Sequence, residues 1–191
     1  MANSMSPLYG IRKTGHFGVA GPAGVTLSEI SGFGLVQFAA WGATLAQTGA
    51  AAASAAGCAT APIPGQSRFG AETVLLRVEP LKWWMLSPPG AAHVTPNLAP
   101  DLGAVLDMQD ARCWLRVGGA RAETLLNHFL PLNLHSSAFA VGAVASTAFH
   151  HVGVTLWRDE DHFNLLIPRS SARSLWELLS DSAQQYGLAE T

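Results

Sequence analysis

The chain is expected to fold as a duplicated α+β protein, and three observations in the sequence carry that expectation. The stretch "KWWMLSP" at 82–88 returns at 162–168 as "HFNLLIP", each time an aromatic, then aliphatics and a proline after a polar bend. The order of elements agrees as well: "LVQFAAWGATLAQ" and "CWLRVGGARAETL" both read strand, glycine, helix. Likewise "VLLRVEPLKWWMLSP" and "VTLWRDEDHFNLLIP" both read strand, polar turn, strand, proline. A strand–helix–strand–strand unit repeated in this way, and paired about a pseudo-twofold, lets two sheets share one core. The expected organisation is an irregular N-terminal arm over 1–24 and one domain over 25–191, with similar lobes at about 25–90 and 104–187.

Each element has a local cause. The arm, "MANSMSPLYGIRKTGHFGVAGPAG", is glycine-rich and would order only against a neighbour. "VTLSEISGFGLVQFAAW" (25–41) carries β-branched and aromatic residues broken by glycine, which predicts a strand pair or one bent strand. Residues 43–56 are alanine-dense and helix-permissive, and Gly57 closes them. "APIPGQSRFG" is a loop, "ETVLLRV" a buried strand, "EPLK" a turn and "WWML" a strand stopped by "SPPG".

After the linker "AAHVTPNLAPDLG", residues 104–119 predict a turn and a strand, with Cys113, Leu115 and Val117 facing one way and Trp114 and Arg116 the other. A helix follows from Ala120, with Ala122, Leu125, Leu126 and Phe129 on one face and Pro131 ending it. "AFAVGAVASTAFHHVGVTLWR" supplies a strand or two, "DEDH" a turn and "FNLLIP" a strand. Ser170 or Ser171 can cap the last helix, which turns Leu175, Trp176, Leu179 and Ala183 inward and stops at Gly187.

Composition narrows the function. Hydrophobic residues make up 49% of the 191 and charged residues 13%, against about 25% charged in ordinary globular chains. A surface so poor in charge fits a protein covered by a partner, and equally a genome that favours alanine and glycine. The net charge of −2, with scattered arginines, gives no footprint for nucleic acid or an anionic membrane. No charge occurs between Glu29 and Arg68, but "GATLAQTGAAAASAAG" lacks the leucine, isoleucine and phenylalanine of a spanning helix. No signal-peptide core is evident, and two distant cysteines, Cys58 and Cys113, exclude a disulfide framework, so the cytosol is the expected compartment.

The side chains that carry chemistry do not gather. Adjacent His150 and His151 would point to opposite faces of a strand, His128 sits near a helix end, and His135 follows "PLNL" in a loop. No HxH, HExxH, GxSxG or GxGxxG spacing occurs, and Asp107 and Asp110 read as a surface turn. Six tryptophans are many for this length. Strand alternation predicts that Trp83 or Trp84 faces away from the local core, where a partner would cover it.

The second half resembles a known family. The loop residues Leu132, Asn133, Leu134, His135, Phe139 and Gly142 match it, as do Pro168, Arg169, Ser170, Ala172, Ser174, Leu175 and Trp176 in "IPRSSARSLWELL". Over about 104–187 this is similar to the gamma subunit of heterotetrameric sarcosine oxidase. Asn133 replaces the family's usual aspartate, and the first half is short and alanine-rich.

The resemblance implies a fold like the folate-binding domains of the glycine-cleavage T-protein. It implies an accessory subunit with no catalytic residues and no cofactor or metal of its own. FAD, FMN, NAD and tetrahydrofolate would then lie on other chains: a large alpha subunit against which this chain packs, an FAD-binding beta subunit and a small delta subunit. The expected subunit contacts are Trp83, Trp84, His135 and Arg169. Two other readings are the matching subunit of an N-methyl amino acid dehydrogenase, such as one acting on N-methylglutamate, and a stand-alone folate-dependent one-carbon transfer protein, for which Asp107 and Arg112 would be the candidate pair.

Overall fold

The computed structural model describes residues 5–91 and 94–191. The chain runs β1 (Gly15–Phe17), β2 (Val25–Ile30), β3 (Gly34–Ala40), α1 (Leu45–Ala55), β4 (Ser67–Phe69), β5 (Val74–Glu79) and β6 (Lys82–Ser87). It continues through β7 (Gly103–Asp107), β8 (Arg112–Gly118), α2 (Ala122–Asn127), β9 (Val144–Phe149), β10 (Val152–Arg158), β11 (His162–Pro168), α3 (Ala172–Ala183) and β12 (Leu188–Glu190). Every element expected from periodicity forms. The short strands β1, β4 and β12, of three residues each, were not visible as patterns, because alternation needs about four residues to show; β7, read as part of a turn, is a strand as well, its alternation masked by the half-exposed run Ala104–Asp107.

The repeat is written in the strand order. One sheet runs β4-β5-β6-β3-β7, and the other contains β9-β10-β11-β8-β2, extended by β12 and β1. Matching steps have matching sense: β3 is antiparallel to β6 and β7, and β8 is antiparallel to β11 and β2.

The first strand of each repeat is exchanged. β2 precedes β3 in the chain yet pairs with β8, whereas β7 precedes β8 yet pairs with β3. The 25–41 stretch is therefore two strands of different sheets, separated at Gly32, whose φ of +73° suits a residue without a Cβ.

The exchange also moves the expected lobe boundaries. One compact unit joins the chain up to Ser31 with Asp110–Val141 and Ser146–Thr191, and the other joins Gly32–Gln109 with Gly142–Ala145.

Two cross-strand pairs recur between the repeats. Arg77 faces Trp83 across β5–β6, and Arg158 faces Phe163 across β10–β11. Each guanidinium lies over its ring, 3.9 Å from the centroid of Trp83 and 5.0 Å from that of Phe163, within cation–π range.

One position on, Gln37 faces Trp84 and Arg116 faces Asn164. The Trp84 indole donates to Gln37 Oε1 at 3.0 Å. Asn164 Oδ1 accepts from Trp114 Nε1 at 2.9 Å and Arg116 Nε at 3.2 Å, while its amide donates to Asp159 Oδ2 at 2.8 Å. Burial pushes the Asp159 carboxyl up, but the bonds from Asn164 and from the His162 and Asp161 N–H groups outweigh it and hold the group below its ordinary range.

α1 packs Ala52, Ala53 and Ala56 on Val36, Phe38, Leu75, Trp83 and Met85. Small residues allow that approach: a Cβ on Gly49 would stand 3.1 Å from Trp83 Cζ2. α3 buries Leu175, Trp176, Leu179 and Ala183 as its period predicts. Its expected serine cap is absent. Arg169–Ser171 form a 3-10 turn instead, and Ser171 (φ −104°, ψ 1°) lacks the extended backbone of a capping residue.

From Met5 onward the arm lies against neighbouring parts of its own chain. β1 pairs with β12, Leu8 is fully buried, and the Lys13 N–H donates to Glu190 at 3.0 Å.

The exchange predicts how the chain tolerates cutting. Residues 1–91 lack β7 and residues 94–191 lack β2, so each fragment alone should melt without a cooperative transition, and mixing the two should restore one. Circular dichroism melting checks this; a cooperative transition in fragment 1–91 alone would contradict it.

Candidate interaction surface

Several of the polar groups weighed for chemistry are engaged in structural contacts. His128 is the C-cap residue of α2 and meets the Tyr186 hydroxyl at 3.4 Å. His150 takes a φ of +52° in the β9–β10 turn, with its ring edge-on to Phe129 and Phe149. Asp107 Oδ1 accepts the Gln109 N–H at 3.0 Å, the expected surface turn. Among the described residues no group of three or more His, Cys, Asp or Glu is placed to hold a metal ion, and no helix is long and apolar enough to cross a membrane.

The densest polar cluster was not foreseen, because its members are scattered in sequence. Glu29 on β2 is buried and accepts from the Ser6 hydroxyl at 2.6 and 2.7 Å, from Arg12 at 3.2 Å and from the Cys113 thiol at 3.4 Å. It ties the arm to the sheet. Burial first, then the adjacent Glu29 charge and hydrogen bond, push the Cys113 thiol far above its ordinary range. Burial also raises the half-buried Cys58, against the opposing charge of Arg68.

Of the four expected contact residues, two are not presented to solvent. Trp83 faces α1, Trp84 faces the other side of the sheet, and both are buried, at 1% and 7% exposure. The expectation that one of the pair is exposed is corrected: alternation does send them to opposite faces, but both faces are covered there.

His135 is exposed and braced within its loop, accepting or donating at Ser137 Oγ (2.8 Å) while its N–H bonds to Asn133 Oδ1 (3.0 Å). Arg169 is half-buried; its guanidinium donates to the Met5 carbonyl and its N–H to Ala111 O at 3.1 Å.

The exposed tryptophan is Trp41, at 52%. It lies at the end of β3, where the chain leaves the sheet. Its indole N–H is held by Pro100 O at 2.9 Å, so the ring is fixed yet uncovered. Leu106 on the edge strand β7 is also exposed.

Among known proteins, the model of the sarcosine oxidase, gamma subunit family matches residues 42–185. Sarcosine oxidase subunit gamma of Corynebacterium sp. (strain P-1) is 30% identical over 102 residues, which cover 52% of this chain and 50% of that protein. The same subunit of strain U-96 is 29% identical over 94 residues, covering 49% and 46%. The chain thus spans about half the length of the curated relatives it matches.

In structure, it resembles heterotetrameric sarcosine oxidase from Corynebacterium sp. U-96 with a TM-score of 0.74 at 24% identity, over 88% of each chain. It resembles glycine cleavage system aminomethyltransferase T from Bartonella henselae at 0.61 and 18%, over 88% of this chain and 48% of that one. Both are likenesses of fold, and they bear out the α+β architecture of T-protein type.

Two outcomes follow from the buried cluster. A thiol reagent at neutral pH should label Cys58 in the native chain and spare Cys113 until denaturant is added; mass spectrometry of the labelled peptides decides, and fast native labelling of Cys113 would contradict the burial. Glu29→Ala should cost about 1–3 kcal/mol in urea melts and free the arm to proteolysis, because three donors lose a charged acceptor.

Proposed function

The chain belongs to the sarcosine oxidase gamma subunit family, and from that premise we propose that it is the non-catalytic gamma subunit of a heterotetrameric sarcosine oxidase-type complex that oxidatively demethylates sarcosine. The observation that carries the reading is the family match over residues 42–185. The side-chain bonding supports it, since Glu29, Asp107, Asn164 and His135 are each spent on bracing a strand, a turn or a loop. In this reading the chain holds a larger redox partner in shape. A large alpha subunit, an FAD-binding beta subunit and a small delta subunit complete the assembly in the cytosol, and FAD, FMN, NAD and tetrahydrofolate are bound by those chains.

The surface supports a particular contact. A fixed, half-exposed indole is the kind of residue that dominates interface energies, because little side-chain entropy remains to be lost when it is covered. Trp41 is therefore the proposed anchor for the alpha subunit, with His135 and Arg169 as further candidates from exposed or partly exposed positions. Trp83 and Trp84 serve instead as the framework of the sheet that ends in Trp41.

Co-expression with the neighbouring alpha and beta subunits tests the reading. A tagged chain should co-purify with both and give a complex that oxidises sarcosine, whereas the chain alone should turn over nothing. A chain that never co-purifies, or that oxidises sarcosine by itself, would overturn it. Within that complex Trp41→Ala should weaken association at least about tenfold by biolayer interferometry and leave the melting temperature of the free chain within a few degrees.

A further inference from the structure

A cavity of about 640 Å³ opens in the unit that contains α1. That volume lies within the range of about 300–1,000 Å³ typical of small-molecule sites. Its cause is in the sequence: beyond Leu45, α1 offers small side chains on this side, among them Ala46, Gly49, Ala50 and Ala53, and the proline-punctuated loop 58–64 closes the rim without filling it. The floor is the Arg77–Trp83 pair.

This floor offers N–H donors to the cavity and holds one buried donor without a partner. Arg77 is 7% exposed, forms no ion pair among the described residues, and is the one charged residue lining the cavity there. Its Nε and Nη2 donate to the carbonyls of Glu79 and Pro80. A guanidinium carries five N–H donors, and those not used by these carbonyls remain accessible from the cavity that Arg77 lines. Burial lowers its pKa, as expected for a cation without a counter-charge. The buried Trp83 Nε1 has no hydrogen-bond partner either. Buried donors of this sort are ordinarily satisfied.

The second repeat shows what such a floor accepts. There the equivalent pair is Arg158 and Phe163, and the chain covers it with its own loop after α2. Arg158 Nη1 donates to Leu134 O (3.4 Å) and Phe139 O (3.1 Å), and the Phe139 ring stacks on Phe163 with centroids 6.4 Å apart. Phe139 thus supplies both an acceptor carbonyl group and an aromatic ring, joined through two carbons. In the first repeat α1 packs its small residues against Trp83 in place of a second ring, and a cavity remains between α1 and the 58–64 loop.

The geometry points to a small aryl-alkanoate, a monocarboxylate joined by a short linker to an aromatic ring, as the ligand of the Arg77–Trp83 cavity. A single carboxylate matches the single guanidinium in charge and can engage its unused N–H groups in parallel. The ring would lie between Ala46 and Ala50 of α1 and the 58–64 loop, beside the covered Trp83. A dianion such as phosphate would leave one charge uncompensated in an otherwise uncharged cavity. The proposal concerns this unit's own cavity and stands apart from the subunit role above.

The probe that copies Phe139 is 3-phenylpropanoate. Titrated into the full chain, it should shift the Trp83 indole N–H resonance saturably at about millimolar concentration or below. Phe139 in the other unit should not respond. Arg77→Gln should weaken binding about tenfold or more. Because Arg77 also bonds the β5–β6 turn, a second variant is needed: Ala50→Phe, at an exposed position of α1 that lines the cavity, should abolish binding without lowering the melting temperature.

The amine 3-phenylpropylamine should not bind. No saturable shift with the acid, undiminished binding by Ala50→Phe, or equal binding of the amine would each overturn the proposal. Tighter binding of neutral N-acetylphenylalanine amide than of the acid would also overturn it, since the site would then be one for a partner's phenylalanine.

Discussion

The constraint on which this fold depends is the exchange of β2 and β7. Each repeat sends its first strand into the other repeat's sheet, so neither repeat completes its own ladder. An uncompleted β3 or β8 would expose a row of N–H and C=O groups as a sheet edge, which is a route to mispairing. The exchange covers β3 and β8 with two strands and connections of only a few residues, leaving the short β7 as the edge of its sheet. The same device gives the arm its anchor: β2 carries Glu29, and Glu29 holds Ser6, Arg12 and Cys113 in one cluster.

Duplication gave both sheets the same plan, and the two copies have since been finished differently. The arginine-over-aromatic pair is kept at Arg77–Trp83 and at Arg158–Phe163, and the polar cross-strand position is kept at Gln37–Trp84 and Arg116–Asn164. What differs is the cover. One copy has a loop that satisfies its arginine and stacks its ring; the other has a helix of alanines that leaves room.

The sequence made the repeated elements legible because they follow strong periods: α3 shows its i, i+3, i+4 face, and β6 and β11 end in the same proline-stopped run. It also made the family legible, since "PLNLHSSAF" and "IPRSSARSLW" lie in the segment that the family matches. Strand exchange was not legible. Pairing partners are a long-range property, and β2 reads as the start of a hairpin with β3 because only residues 31–33 separate them.

The site was less legible still. Trp83 and Trp84 were correctly sent to opposite faces, but burial depends on what covers each face, and alternation is silent on that. Trp41 carried the surface signal, being the tryptophan followed directly by glycine at the end of a strand.

The pairing of β2 with β8 can be tested in the intact chain by placing cysteines at Ser28 and Arg116, which face each other in register, after replacing Cys58 and Cys113 with alanine. Facing strand positions lie within disulfide reach, whereas a hairpin of β2 and β3 would bring Ser28 to Val36 instead. The exchange predicts spontaneous, near-complete cross-linking of the Ser28→Cys/Arg116→Cys pair and none for Ser28→Cys/Val36→Cys. The reverse pattern would contradict it.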